Sequence, residues 1–205
     1  HGGAGTFPSV RRLRPSFENT RSPVLCLHPD FSPNAGPRGV FKRVVLARGS
    51  TEPDGYGANH GVVSDLLDRA KVPGWTKAAT VEDKAGSRSH AKRVAEAAQE
   101  TDADVLHVTC QEDAHLVPRD SPVPVVVSVH DLFDFRPRAI DAGDISVPLG
   151  NRFPSSARAR HLASCREGMG RADLLLCASD LTMDEAAGMF PGTKCVLVRD
   201  SVDCS

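Results

Sequence analysis

The sequence predicts an α/β protein with a doubly wound parallel sheet, and three observations support this class. Apolar runs of strand length alternate along the chain with segments whose apolar residues recur every three or four positions. Several of these runs are rich in valine and leucine, as is usual for strands that are covered on both faces. Strands that are joined through helices need crossover connections, and such connections make neighbouring strands parallel.

Size and charge restrict the classes of function. The chain has 205 residues, enough for one domain with a full core or for two small ones, and we expect one. Its 25 Lys and Arg nearly balance 26 Asp and Glu, so the net charge of −1 gives the whole chain no attraction to nucleic acid or an anionic membrane. We therefore predict no nucleic-acid partner. With no run of about 18 apolar residues, we also predict no transmembrane segment. Peripheral membrane contact and the oligomeric state stay open.

The cysteines indicate a reducing compartment. The six cysteines include no C-x-x-C pair, and Cys110, Cys177 and Cys195 lie in or beside apolar runs that have the character of buried strands. Reduced thiols in the core explain this pattern better than a disulfide or zinc framework does. Because cytosolic proteins keep their thiols reduced, we predict a cytoplasmic protein.

The pattern divides the chain into an arm, residues 1–42, and a domain, residues 43–205. The arm is rich in proline and glycine, contains the basic run "RRLR", and lacks a sustained period of 2 or 3.6 residues. We predict that the arm is irregular or poorly ordered. An extra edge strand at Pro23–His28, "PVLCLH", is the alternative for its one apolar run.

The first half of the domain predicts three strands and two helices. Pro73 must end the first helix, and Ser87 and Ser89 are the candidates for the N-cap of the second. In order, these elements are a strand at Arg43–Ala47, a helix marked by Val62, Val63, Leu66, Leu67 and Ala70, a strand at Trp75–Val81, a helix marked by Ala91, Val94, Ala95 and Ala98, and a strand at Ala103–Cys110.

The second half predicts three more strands and two more helices. Thr182 and Glu185 have the spacing of a capping box at the start of the last helix. The stretch Phe135–Phe153 shows no clear period, and we predict a long loop there. In order, the elements are a valine-rich strand at Val123–Phe133, a helix marked by Leu162, Cys165, Met169 and Ala172, a strand at Asp173–Ser179, a short helix that ends near Pro191, and a strand at Lys194–Asp200.

A glycine-containing loop, "EPDGYGANH", connects the first strand to the first helix. Gly55, Gly57 and Asn59 thereby lie near a helix N-terminus, where unpaired N–H groups and the helix dipole favour an anion. The loop lacks the third glycine of the dinucleotide-binding fingerprint, and no acidic residue clearly ends the second strand. A ligand-binding loop and a structural turn therefore both remain open for this stretch.

A histidine and an aspartate follow the fourth apolar run. His130 stands where the strand meets solvent, and a histidine there can take a proton or donate to an anionic oxygen near neutral pH. Asp131 points the other way and is expected to organise the loop that follows. For His130 the alternative is a hydrogen-bonded core histidine. The loop Phe135–Phe153, which carries Arg136, is either a lid or acceptor-binding segment or a merely solvated loop.

The remaining histidines give little support for further chemistry. His107 lies inside the third strand, so we expect a core residue there. His115 and His161 have no partner at a ligand spacing, and we predict no metal site. The motif G-x-S-x-G is absent, and no Ser/His/Asp set indicates a hydrolase.

Taken in order, three stretches resemble the N-terminal domain of the family 4 retaining glycosyltransferases, which have the GT-B fold. They are the loop and helix "PDGYGANHGVVSDLL", the strand end "PVVVSVHDL", and the C-terminal run "ADLLLCASDLTMDEAAGMFPGTKCVLVRDSVD". The last stretch is the most specific, because it resembles the family's order of strand, serine, helix, "FPG" and strand. The resemblance covers about Arg43 to Asp203.

The resemblance implies an activity and a set of site residues. The intact enzyme would transfer a sugar from a nucleotide-sugar donor to a hydroxyl acceptor with retention, without a metal or a separate cofactor. His130 matches the family histidine beside the donor sugar and diphosphate, and Gly55 and Gly57 match the loop that approaches the diphosphate. Asn59, Asp131, Arg136 and Ser179 are the other substrate-binding candidates.

Two departures from the family pattern leave other functions open. The third strand ends in Thr109, Cys110 and Gln111 rather than in a histidine. The family's second domain, which carries most of the donor-binding groups, would begin where this sequence ends, so we expect this chain alone to be incomplete for activity. The alternative is a non-catalytic α/β binding or interaction module. A Rossmann-type dehydrogenase is disfavoured by the missing third glycine.

Overall fold

A computed structural model describes residues 41–49, 57–69, 71–82 and 90–198. Within these residues, six parallel strands form one sheet in the order β2-β1-β3-β4-β7-β8. The predicted α/β class and parallel sheet are therefore confirmed. The strands are β1 (Lys42–Arg48), β2 (Trp75–Glu82), β3 (Val105–Val108), β4 (Val125–Val129), β7 (Leu174–Cys177) and β8 (Lys194–Leu197).

Helices cover both faces of this sheet. Four α-helices and one 3-10 helix connect the strands, and none of the helices in the described residues is long and apolar enough to cross a membrane. They are α1 (Gly57–Asp68), α2 (His90–Glu100), the 3-10 helix Gln111–Leu116, α3 (Ser156–Arg171) and α4 (Asp180–Met189).

Alternate residues of each strand pack on opposite faces. In β1, Val45 and Ala47 belong to the larger core cluster, which includes residues of α2, the 3-10 helix, α3 and α4. Val44 and Leu46 belong to a smaller cluster with Leu67 of α1. A strand whose successive side chains are both buried must be apolar at every position, which explains the uninterrupted run "VVLA".

The strand order places a topological switch point between β1 and β3. The chain leaves β1 through α1 to reach β2 on one side, and then returns through α2 to β3 on the other side of β1. Right-handed crossovers in opposite directions place α1 and α2 on opposite faces, as the two core clusters show. In sheets of this kind, ligands bind beyond the carboxyl ends of the strands at the switch point.

The segment predicted as a long loop contains a β-hairpin, so that prediction is wrong. Its antiparallel strands are β5 (Arg138–Ala142) and β6 (Ile145–Leu149), which we call the hairpin. Gly143 at its turn has a φ of 65°, a left-handed conformation that glycine adopts without steric cost. The hairpin is fixed to the domain by an ion pair between Arg138 and Glu185 of α4.

The remaining differences concern the ends of elements. The N-cap of α4 is Ser179, whose Oγ accepts from the N–H of Thr182, so the predicted capping box at Thr182 begins three residues too late. The predicted strands at β3, β4 and β7 extend beyond the observed strands at both ends. Lys42 begins β1, one residue before the predicted start. The rest of the predicted arm up to residue 40, the cap candidates Ser87 and Ser89, and the end of the last predicted strand lie outside the described residues.

The four cysteines of the described residues are free thiols. Cys110, Cys165 and Cys177 are buried, and Cys195 is half-buried. Burial raises the pKa of Cys110 and that of Cys177 to about 12, so both remain protonated. These positions agree with the predicted reduced thiols of the core, while Cys26 and Cys204 lie outside the described residues.

Candidate functional site

The carboxyl ends of the central strands bring several polar groups to one edge of the sheet, which we call the carboxyl edge. Gly49 follows β1, Thr109 follows β3, and His130 follows β4. Ser179 lies two residues after β7. Because β1, β3, β4 and β7 are neighbours in the sheet, these residues occupy adjacent positions at this edge.

Hydrogen bonds of its ring and of its backbone hold His130 at this edge. Its Nε2 lies 3.2 Å from the carbonyl oxygen of Thr109. A carbonyl only accepts, so this bond assigns a hydrogen to Nε2. The backbone N–H of His130 donates to Oε1 of Gln111 at 3.0 Å, and its carbonyl accepts from Oγ1 of Thr182 at 3.3 Å. The imidazole is therefore fixed to the neighbouring strand β3 while it remains half-buried.

Gln111 and Thr109 also belong to this candidate site, although the sequence did not identify them as site residues. Both are 2% exposed, an unusual degree of burial for polar side chains. Gln111 is the first residue of the 3-10 helix, and its side-chain oxygen accepts a hydrogen bond from the backbone N–H of His130. The signal in the sequence is a run of polar residues directly after an apolar strand, which we had noted only as a departure from a family pattern.

Ser179 connects α4 to the same network. Its Oγ caps α4 by accepting from the N–H of Thr182 at 3.1 Å and shares a 2.8 Å hydrogen bond with Oγ1 of Thr182. Since Thr182 also donates to the carbonyl of His130, the start of α4 is tied to the end of β4. Ser179 is thus near the predicted site, and its capping role explains its position without a ligand.

A buried carboxyl group lies beside the end of β1. Asp113 of the 3-10 helix is 7% exposed, and burial raises its pKa above the ordinary value, while a hydrogen bond from the N–H of Gly49 acts in the opposite direction. A Cβ atom at position 49 would overlap with Oδ1 of Asp113. Any other residue at position 49 would therefore require the side chain of Asp113 to move.

The other predicted site residues are not brought together by the described structure. Gly57 is the first residue of α1, which agrees with its predicted place at a helix N-terminus. Gly55 and the side chain of Asn59 lie outside the described part of the chain. Oδ1 of Asp131 accepts from the N–H of Phe133 at 3.0 Å, so Asp131 organises the following turn as expected. Arg136 is exposed, and its backbone N–H donates to Leu132.

Charged pairs hold the segments around the hairpin. Arg158 of α3 donates to Oε1 of Glu112 at 2.9 Å and to Oδ2 of Asp134 at 2.6 Å. The hydrogen bond from Arg158 lowers the pKa of Asp134 below its ordinary value. The guanidinium of Arg138 also lies 5.0 Å from the centre of the Phe133 ring. These contacts fix the base of the hairpin to α3 and to the 3-10 helix.

A second group of potential ligands lies between the 3-10 helix and α3. His115, His161 and Cys165, which we call the His-Cys cluster, have ligand atoms within 4.8 Å of one another. The prediction that His115 and His161 stand alone is therefore wrong. Burial raises the pKa of Cys165 to about 12, and burial together with His115 and Arg158 lowers the pKa of His161. Hydrogen-bonding contacts join Cys165 to both histidines and to the Glu112 carbonyl.

A groove of about 390 Å³ opens at the opposite edge of the sheet, at the amino end of β4. Its charged groups have roles within the fold. Asp173 accepts from the N–H of Val125 at 2.8 Å, and Arg171 donates to the carbonyl of Val117 at 2.9 Å. The carboxyl edge, where polar groups converge on His130, is accordingly the better candidate for a binding site.

The fold and this edge define the class of protein as an α/β protein with a Rossmann-like parallel sheet. Comparison of the sequence with profiles of known protein families gives no match. Comparison with curated protein sequences also gives no significant match. A function is therefore inferred from the residues of the chain and from their geometry.

Proposed function

We propose that this chain is the acceptor-side, N-terminal domain of a retaining glycosyltransferase of the GT-B type. The observation that carries the proposal is the position of His130 directly after β4, at the carboxyl edge and one strand away from the switch point. The same histidine lies in the stretch "PVVVSVHDL", one of three that resemble the family 4 enzymes. Position in the fold and sequence resemblance thus favour the same residue.

The reaction is the transfer of a sugar from a nucleoside diphosphate to an acceptor hydroxyl. The bond between the anomeric carbon and the phosphate oxygen breaks, and a bond from that carbon to the acceptor oxygen forms. The nucleoside diphosphate leaves with the electrons of the broken bond, and its freed phosphate oxygen takes up the proton that the acceptor hydroxyl loses. Because Nε2 of His130 is bonded to the Thr109 carbonyl, the proposed contact is made by Nδ1, which donates to a phosphate oxygen in the protonated ring and accepts from a sugar hydroxyl in the neutral ring.

Its immediate surroundings suit this role because they restrict the imidazole. The hydrogen bond to the Thr109 carbonyl and the contact between its backbone and Gln111 hold the ring against β3. A positioned donor needs no reorganisation when charge develops on the leaving phosphate. Gly57, at the first position of α1, lies after β1 on the other side of the switch point and is the proposed neighbour of the diphosphate.

The test uses the protein in its full natural length. It is incubated with a panel of nucleotide sugars, and release of nucleoside diphosphate is measured for the parent protein and for His130→Ala. We expect turnover to fall by roughly 10²–10⁴-fold, the range typical of a positioned proton-donating group. We expect the free energy of unfolding to fall by only about 1 kcal/mol, the usual net contribution of a side-chain hydrogen bond.

His107→Ala is the matched control. His107 lies in the middle of β3, and its Nε2 is 2.9 Å from Oγ of Ser128, so the substitution removes a comparable hydrogen bond away from the carboxyl edge. Turnover by His107→Ala should stay near that of the parent. If turnover falls equally in both variants, or stays normal in His130→Ala, then His130 is a hydrogen-bonded core histidine and has no role in the reaction.

An interaction module without transferase activity is the second candidate, and the hairpin favours it. Ile140, Ile145 and Val147 are 46%, 67% and 46% exposed and lie on one face of the hairpin, because Ile140 pairs directly with Val147. Exposed apolar side chains that adjoin one another are typical of a contact surface. This candidate becomes the preferred one if the full-length protein turns over no nucleotide sugar.

A further inference from the structure

We propose that His115, His161 and Cys165 form a Zn²⁺ site between the 3-10 helix and α3. This proposal is independent of the transferase activity, since it uses none of the residues placed at the carboxyl edge. The three ligand atoms come from two elements that are separate in the sequence, and they meet in the folded chain within 4.8 Å of one another. Two imidazole nitrogens and one thiolate are among the ligands that zinc prefers.

The distances already approach those of a coordinated ion. Sγ of Cys165 lies 3.5 Å from Nε2 of His161 and 3.8 Å from Nδ1 of His115. Around tetrahedral zinc, with Zn–S of about 2.3 Å and Zn–N of about 2.0 Å, sulfur and nitrogen ligands are about 3.6 Å apart. The two sulfur-to-nitrogen distances therefore match zinc without movement of the backbone. The two histidine nitrogens lie within 4.8 Å of each other, and rotation of the rings would have to bring them to the roughly 3.3 Å that tetrahedral zinc requires.

Local structure explains why these atoms meet. His161 and Cys165 are four residues apart on α3, so they lie on the same face of the helix. His115 is brought to that face because Gly168 lets α3 pack closely on the 3-10 helix, where a Cβ would overlap with the Ala114 carbonyl. Cys165 is fully buried, whereas the rings of His115 and His161 are half-buried. An ion from solvent would therefore reach the cluster past the exposed edges of the two histidine rings.

Metal binding has a defined proton balance. In the absence of an ion, Sγ of Cys165 donates to the carbonyl oxygen of Glu112 at 3.0 Å, and Nε2 of His161 lies 3.0 Å from the same oxygen. Zn²⁺ would take the place of the thiol proton, which leaves to solvent. The proton on Nε2 of His161 is transferred to Nδ1, so that this ring stays neutral. One proton is thus released for each ion bound.

The charges nearby are mixed. The carboxylates of Asp113 and Glu112 act on Cys165 in the sense that favours a cation, and Arg158 acts in the opposite sense. Arg158 is itself paired with Glu112 and Asp134, which reduces its effect. A water molecule supplies the fourth ligand in our proposal, because the described residues offer a group of three side chains.

The experiment measures metal binding by the whole chain after treatment with a chelator. Zn²⁺ is titrated against a chromophoric competitor, and Co²⁺ is added separately as a spectroscopic probe. We expect one Zn²⁺ per chain, one proton released per ion, and a sulfur-to-cobalt charge-transfer band with tetrahedral d–d bands. Zn²⁺ should also raise the melting temperature, because it binds the folded state.

Two ligand variants and one control separate this site from ordinary thiol binding. Cys165→Ser keeps the size of the buried side chain, and His161→Gln removes one imidazole. Each should weaken zinc binding by more than about 100-fold, which exceeds the effect of losing an outer-shell partner. Cys195→Ser removes a half-buried thiol that donates to the Thr193 carbonyl, and it should bind zinc like the parent.

Several results would overturn the proposal. These are a parent protein that binds no stoichiometric zinc, a cobalt complex without the thiolate band, or a Cys195→Ser variant that loses binding as much as Cys165→Ser does. The melting temperature of each variant without metal shows whether it folds. If Cys165→Ser does not fold, the result for His161→Gln alone decides. Because the ring of His161 is only half-buried, replacing it leaves no closed cavity in the core.

Discussion

The two faces of the sheet differ in how completely they are covered. Among the described residues, the larger core cluster contains 22 buried residues and takes in α2, the 3-10 helix, α3 and α4, whereas the cluster under α1 contains four. On the α1 helix itself, Val62 and Leu66 are exposed. We call the face covered by α2, the 3-10 helix, α3 and α4 the four-helix face. Hydrophobic stabilisation follows the apolar area removed from water. The difference between the two clusters therefore indicates that packing on the four-helix face provides most of the hydrophobic stabilisation of the described residues.

The four-helix face also carries most of the groups discussed above. The 3-10 helix lies on this face, and its Gln111 contacts His130 while its His115 belongs to the His-Cys cluster. Residues that hold these groups in place therefore belong to the larger of the two core clusters or adjoin it within the described part of the chain. This agrees with the general need of binding sites for rigid support.

The sharpest test of the difference compares two leucines on adjacent strands. Leu106 of β3 packs in the larger cluster and Leu46 of β1 in the smaller, and neither is accessible to solvent. Replacing a buried leucine with alanine generally lowers the free energy of unfolding by about 2–5 kcal/mol, and we expect Leu106→Ala to lie near the upper end of this range. Leu46→Ala should cost nearer the lower end, since half-buried neighbours such as Val63 and Trp75 can move into the space. Denaturant titration measures both, and equal losses would mean that the two faces contribute alike.

A smaller effect is expected where α3 meets the 3-10 helix. A Cβ at Gly168 would collide with the backbone of Ala114, so Gly168→Ala should cost about 1–3 kcal/mol by forcing the two elements apart. Gly170→Ala is the control, because a Cβ there makes an ordinary 3.7 Å contact with Phe190. In a helix that substitution should be neutral or stabilising by up to about 1 kcal/mol. Thermal melts that place both variants on the same side of the parent would contradict this account of the packing.

The smallest effect concerns the ion pair of Asp134 with Arg158. The folded state lowers the pKa of Asp134, so this carboxylate contributes stability above its ordinary pKa and loses that contribution as the pH falls through the lowered value. Asp134→Asn should therefore cost less than about 1 kcal/mol at neutral pH, as is usual for a partly exposed pair. The difference from the parent should shrink in acid. Unfolding free energies measured from neutral pH down to pH of about 3 provide the check, and a difference that grows in acid would refute it.

The sequence predicted the sheet well because its strands are buried on both faces. Runs such as "PVVVSV" and "DLLLC" are short and apolar, as is typical of strands covered on both faces, and the helices between them then require parallel pairing. The hairpin was missed for the opposite reason. Ile140, Ile145 and Val147 are exposed rather than covered, so this stretch lacks the apolar runs from which the strands of the sheet were predicted.

Single site residues were predictable only where position along a strand determines them. His130 could be found because it follows an apolar run directly. The His-Cys cluster could not, since 46 positions separate His115 from His161, and the contact depends on how Gly168 packs against Ala114. The spacing of His161 and Cys165 is a helical one, but a single pair of this kind is common on helices without a ligand.

The shortness of the 3-10 helix limits how the sequence of this protein can change. Each residue of such a helix turns the chain by about a third of a revolution, so one insertion or deletion between Gln111 and Leu116 would turn the following side chains to a different neighbour. The 3-10 helix could then no longer keep both contacts at once, that of Gln111 with His130 and that of His115 with Cys165. In an alignment of related proteins, we expect this segment to keep a constant length, while the tip of the hairpin around Gly143 should accept insertions and deletions freely.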